Sequence, residues 1–337
     1  MKTNILFLII ILIAISSCFK EDEKIPPYDR GDRTTVLIEL TQNYKYQVYY
    51  SLDQNTVVST NDKNSFDLAF ESTQEGSHIL LNTANFVLAA ATTETQIENI
   101  TSQDGLDLKF DPSSGNLDST AIGNWITINN TDTIYSGLVY VIDRGYDELG
   151  NLLGFRKIVF DSLVGKTYYF RYANLNSTNL TAASVTKAEG VNFVYYSFVN
   201  EPGQVQPEPP FDSYDLLFTQ YTTLLYTNEG DPYPYLVTGV LLNRFETYVA
   251  FDSIHHFDSI SMDMAQNMAF TKQNDRIGYN WKDVVGDVES GQVSYIVNPE
   301  WNFVIKAQDG FYYKMRFIGF YNDLGEKGYP TFEYQRM

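Results

Sequence analysis

The chain has 337 residues, 42 of them acidic against 23 basic, a formal net charge of −19 and a single cysteine. Phosphate recognition needs clustered Lys and Arg, so this balance excludes nucleic acid as a partner. One cysteine excludes an intrachain disulfide and a thiolate metal site.

The chain opens as an export signal. Lys2 precedes an unbroken apolar run at residues 5–15, ILFLIIILIAI. That is too short to span a bilayer, which takes about 20 residues as a helix, but it fits the apolar part of a secretory signal. Ile15-Ser16-Ser17-Cys18 resembles the lipobox of bacterial lipoproteins. The resemblance implies that residues 1–17 are a signal peptide and that Cys18 is acylated, holding the protein on a membrane without a spanning helix. Phe19-Lys20-Glu21-Asp22-Glu23 resembles the export signal behind the lipid cysteine of Bacteroidetes surface lipoproteins. A solvated acidic and Pro-rich tether over 18–33 is the other reading. Either way the expectation is an envelope lipoprotein, on the outer membrane and exposed at the cell surface.

Beyond the tether, apolar residues alternate with polar ones. Val36, Ile38 and Leu40 do so, then Tyr168, Phe170 and Tyr172, then Tyr313, Met315 and Phe317. Short alternating runs between Asn, Asp and Gly turns predict an all-β, antiparallel protein with few short helices. Residues 147–151 (DELGN) and 323–326 (DLGE) read as hairpin tips, and 261–270 (SMDMAQNMAF) as a short helix with Met264 and Met268 on one face.

Landmarks recur along the chain. Tyr49-Tyr50-Ser51 returns as Tyr195-Tyr196-Ser197, and SFDLAF with Asp67 returns as SYDLLF with Asp215. GKTYYFRY with Tyr168 is matched to GFYYKMRF with Tyr312, and Phe155 to Trp301. Their common order predicts two tandem homologous β units, 34–188 and 189–337. The Pro-rich loop at 205–210 would match the segment STNDKN at 59–64. A buried Asp needs donors, so Asp67 and Asp215 are expected to tie down neighbouring turns and not to catalyse.

The opening TTVLIELTQNYKYQVYYSL, the [FY]DL-x-F strands, IGYNWK (277–282) and the ending VIKAQDGFYYKMRFIGFYNDLGEKGYPTFEY (304–334) resemble the HmuY family of lipid-anchored haem-binding proteins. The resemblance implies haem capture for handover to a TonB-dependent outer-membrane receptor. Haem iron takes axial ligands such as His, Met or Tyr; the family's founding type uses two histidines, and other members His with Met or two Met. The second family histidine would fall near GDVESGQVSY (286–295), where this chain has neither His nor Met.

Three histidines exist, His78, His255 and His256. Adjacent side chains of an extended chain point to opposite faces, so His255 and His256 cannot clamp one iron together. One of them could pair with Met262, Met264 or Met268; core filling by the methionines is the alternative. His78 lies in a predicted strand and reads as packed or solvent-facing. HExxH, G-x-S-x-G, Walker and Rossmann patterns are absent from the sequence, and no acidic pair is marked out for glycoside hydrolysis. Asp143, Asp147 and Asn151 could line a calcium loop, but a plain turn is preferred. The expected function is a non-catalytic haem-binding lipoprotein; a module that kept the fold but binds glycan or peptide is the alternative.

Overall fold

The alternating runs become strands because each then turns one face to a core and the other to water. The computed structural model describes residues 31–129, 132–199, 203–287 and 292–337. The signal segment and Cys18 lie outside the described residues. Every strand pairing is antiparallel, as expected for the all-β class. No helix among the described residues is long and apolar enough to cross a membrane.

Four sheets carry the fold. One five-stranded sheet has the order β1 (Thr34–Leu37), β22 (Lys327–Arg336), β21 (Tyr312–Tyr321), β20 (Asn302–Lys306), β17 (Tyr248–Asp252). The other runs β12 (Thr181–Thr186), β11 (Thr167–Ala173), β10 (Phe155–Val164), β9 (Val139–Asp143), β6 (Leu88–Ala91). A four-stranded sheet joins β16 (Pro232–Leu242), β15 (Leu216–Tyr226), β2 (Tyr46–Ser51) and β3 (Thr56–Asp62). Its counterpart joins β14 (Gly203–Val205), β13 (Phe193–Ser197), β4 (Leu68–Glu71) and β5 (Ile79–Leu81). Two separate hairpins, β7 (Ile126–Asn129) with β8 (Asp132–Tyr135) and β18 (Lys282–Asp287) with β19 (Gln292–Val297), each follow a fully buried tryptophan, Trp125 and Trp281.

Residues from each pair of sheets meet in one core, the sandwich solution for sheets with one apolar face. The first core gathers Ile38, Val48 and Tyr50 with Phe218, Trp281, Phe303, Phe317 and Phe332. The second gathers Leu68, Phe70, Trp125, Phe160, Phe170 and Tyr196. Both cores draw on residues from either side of position 188, within one compact body spanning residues 32–337. Strand β2 pairs with β15 and β13 with β4, and the registers match: Leu216 opposes Tyr50 as Leu68 opposes Tyr196. Likewise β1 completes the sheet of β22, and β12 that of β11.

At the middle of its five-stranded sheet, β21 with GFYYKMRF holds the place that β10 with FRKIVF (155–160) holds in the other, while GKTYYFRY lies on β11. Phe155 opens β10 and Trp301 precedes β20, so neither of these two landmark matches is one of sheet position. Both middle strands carry a bulge, after Phe160 and after Phe317. Both also carry a buried lysine that collects loop carbonyls: Lys157 Nζ donates to Ile100 O at 2.6 Å, and Lys314 Nζ to Phe257 O at 2.9 Å. The Tyr-rich strands looked alike because strand composition repeats more readily than strand position. Similarly, residues 59–62 of STNDKN belong to β3, because the chain there stays paired with β2.

Candidate functional site

The turn after β17 is built by one carboxylate. Asp252 Oδ1 accepts from Ile254 N at 2.9 Å and His255 N at 2.8 Å, an Asx-type turn. Its other oxygen, Oδ2, lies 2.8 Å from His255 Nδ1. Burial pushes the Asp252 carboxyl up, but these bonds outweigh it and hold the group below its ordinary range. From β20, Asn302 Nδ2 donates to His255 O at 2.8 Å. Lys314 on β21 takes Phe257 O, so the turn is fastened to three strands of one sheet.

The two adjacent histidines part company here. The His255 side chain is 44% exposed and anchored to Asp252, which is buried. His256 caps a 3₁₀ turn at Phe257–Ser259; its side chain is 88% exposed, with Nδ1 3.1 Å from Glu300. Among the described residues neither Nε2 has a partner. A ligating histidine commonly gives its other ring nitrogen to a carboxylate, which fixes the tautomer and ring orientation. His255 meets that condition on an ordered, buried carboxylate, and His256 on an exposed one.

The helix expected over 261–270 is shorter, a single turn, α1, at Met262–Gln266, with Ser261 Oγ accepting from Met264 N at 3.3 Å. Met268 lies beyond its end, so Met264 and Met268 do not share a helix face. Met262 and Met268 pack against Ile260, Ala265, Val304 and Met337, which fits the core-filling reading for these two. Met264 lies outside that cluster and is partly exposed.

A cleft of about 350 Å³ has Phe251, Trp301, Tyr279, Asp275 and Arg276 among its walls; none of His78, His255, His256, Met262, Met264 and Met268 lines it. The rings of Phe251 and Trp301 meet edge to face at 5.1 Å, and the Arg276 guanidinium sits 5.5 Å from the Phe251 ring centre. Phe251 immediately precedes Asp252, and Trp301 follows Glu300, so the cleft and both histidine anchors are built on the same strand ends. The segment IGYNWK supplies Ile277, Gly278, Tyr279 and Asn280 to the cleft. Gly278 has φ +62° and pairs through N and O with Val240, and a Cβ there would come within 2.7 Å of Asp275 O, so a side chain would strain this turn.

His78 belongs elsewhere. It precedes β5 and lies with Nδ1 2.5 Å from Glu71 Oε2. Asp67 and Asp215 each tie down the chain just beyond a paired neighbouring strand, distant in sequence: Phe198 N, in the bend after β13, donates to Asp67 at 2.7 Å, and Leu52 N, in the turn after β2, to Asp215 at 2.9 Å. The loop at 147–151 is a plain turn, since the Asp147 carboxylate accepts from Leu149 N, Asn151 N and Asn151 Nδ2. Residues 288–291 of GDVESGQVSY lie outside the described residues. The sequence reading missed Asp252, Glu300 and Arg276; the Asp-x-x-His spacing at 252–255 was the available signal.

The family model described as HmuY protein matches residues 43–334. No curated protein matches the chain. Among solved structures, apo PinO from Porphyromonas gingivitis has 10% identity and a TM-score of 0.30, covering 91% of this chain and 98% of its own. The apo HmuY analog of Tannerella forsythia has 12% identity and a TM-score of 0.25, covering 92% and 99%. A Bacteroides vulgatus protein described as HmuY-like and heme binding has 10% identity and a TM-score of 0.23, covering 91% and 95%. Superpositions this loose leave the family assignment resting on the match over 43–334.

Proposed function

The chain belongs to the HmuY family, and from that premise we propose that it captures haem between the His255 turn and the Phe251–Trp301 cleft and does not turn it over. The carrying observation is the Asp252–His255 pair: a buried carboxylate orients Nδ1 and leaves Nε2 for a metal. Phe251 and Trp301 offer an apolar wall for a porphyrin, and Arg276 a cation for its carboxylates. Haem would supply the iron that His255 ligates; Met264, outside the methionine cluster, is the second candidate. We further propose acylation at Cys18, a place on the outer membrane facing outward, and delivery to a TonB-dependent receptor. The matched registers of β2 with β15 and β13 with β4 support a tandem duplication in which each repeat lends its first strands to the other.

Haemin titration of the mature protein tests the reading. A sharpened, saturable Soret band that changes in Met264→Ala supports it, and a flat titration contradicts it. A glycan-binding module is favoured instead by the exposed Tyr226, Tyr233 and Tyr235 on the β15–β16 tip, and a flat titration with glycan retention would select it.

A further inference from the structure

We propose that Arg244 anchors a second ligand site, one for a small organic carboxylate whose apolar body rests against Phe245 and Phe211. Two cavities away from the Phe251–Trp301 cleft, of about 340 and 710 Å³, share walls at Thr73, Asn192 and Phe245. Phe211 and Phe245 stack with ring centres 4.1 Å apart and both line the larger one.

The cations around these cavities are not equivalent. Lys187 Nζ donates to the carbonyls of Thr73, Gln74 and Gly76. Lys166 pairs with Glu189 at 3.0 Å, and Lys272 donates to Phe245 O at 2.8 Å and Glu246 at 3.2 Å. Arg244 lines the smaller cavity and donates from Nη1 to Gly115 O at 2.7 Å; its remaining N–H groups have no acceptor among the described residues. A guanidinium carries five donors in a fork that matches a carboxylate; that of Arg244 is partly buried, with its carbon 5.5 Å from the Phe193 ring centre.

Glu208 and Asp111 lie close enough to favour the Arg244 charge, but among the described residues neither accepts a hydrogen bond from it. Glu208 accepts from Tyr214 and Asn192 at 2.7 Å, Tyr195 at 2.9 Å and Phe193 N at 3.3 Å. Asp111 accepts from Leu81 N and Ala121 N, both at 2.7 Å. Glu71, which also lines the cavity, is engaged by Thr73 Oγ1 at 2.7 Å and by His78. None forms an ion pair with Arg244 among the described residues. Space for the ligand depends on Gly115, where a Cβ would come within 2.9 Å of Arg244 Nη1.

Benzoate is the probe, with acetate as the anion that lacks an apolar body, each titrated calorimetrically into the mature protein. Saturable benzoate binding is expected, with about tenfold or greater loss of affinity in Arg244→Gln, the weight of one charge-assisted pair. Phe245→Ala, at a partly exposed rim position, should weaken benzoate but not acetate. Benzoate binding should persist in His255→Ala, which separates this site from the haem reading. Absence of saturable benzoate binding, equal binding to Arg244→Gln, or acetate binding as tight as benzoate overturns the proposal.

Discussion

Asp67 and Arg144 form a buried ion pair, Arg144 Nε donating to Asp67 Oδ1 at 2.7 Å across 77 residues of chain. The other Asp67 oxygen takes Phe198 N at 2.7 Å, and Arg144 Nη1 donates to Leu153 O at 2.8 Å. One side-chain pair thus ties the β4 strand, the β9–β10 loop and the end of β13. Removing one partner strands the other charge, so Arg144→Met should cost about 3–5 kcal/mol. The Arg144→Met/Asp67→Asn double variant should cost less than the sum of the singles in urea unfolding.

Lys314 makes a link from stability to binding. Its ammonium, on β21, holds Phe257 O in the loop that carries His255 and His256. Lys314→Met leaves that carbonyl short of a donor, a cost of about 1–3 kcal/mol. Under the proposed function it should also weaken haemin binding. Lys157→Met, its counterpart in the other core, should lower the melting temperature and leave the haemin titration unchanged.

Buried carboxylates set a pH dependence with a definite sign. Burial raises Asp111 and Asp215 to about 6 each, against backbone N–H bonds that pull the other way. Their unfolded pKa is near 3.8, so the folded state binds more protons between about 4 and 6. Their contribution to stability therefore falls as pH rises through that window. Glu71 has the opposite sign: burial raises it, but bonds from Thr73 and His78 leave it lowered overall. Asp215→Asn keeps an acceptor for Leu52 N and removes the ionisation. Its unfolding free energy, followed from pH 4 to 7, should decline less steeply than that of the wild type.

Trp281 is fully buried and stacks on Phe317 at 3.8 Å, closing the first core beneath the β18–β19 hairpin. Its Nε1 donates to Gly278 O at 3.0 Å, which fixes the IGYNWK turn at the cleft. Trp281→Ala should cost about 3–5 kcal/mol, read as a lowered denaturant midpoint. Trp281→Phe, which keeps the stack and loses the hydrogen bond, should cost less.

Strand existence was legible because alternation is a local signal: Val36, Phe170 and Met315 face cores as their period implies. Strand neighbours were not. Nothing local in YQVYYS says that it pairs with Leu216–Phe218, far along the chain, and the Asp215 bond to Leu52 N depends on that pairing. The short helix at Met262 was visible, but its end was not, since Met268 is drawn into the cluster with Val304 and Met337. At the candidate site the histidines and methionines could be named from residue type. What separates His255 from His256 is the burial of Asp252 against the exposure of Glu300, a tertiary difference.

The most direct measurement is a haemin titration of the mature protein beside His255→Ala, His256→Ala and His78→Ala, following the Soret band and the apparent affinity. The account predicts saturable binding in the wild type, loss of about tenfold or more in affinity with an altered band in His255→Ala, and unchanged curves for the other two. Binding to His255→Ala with wild-type affinity and spectrum would contradict it.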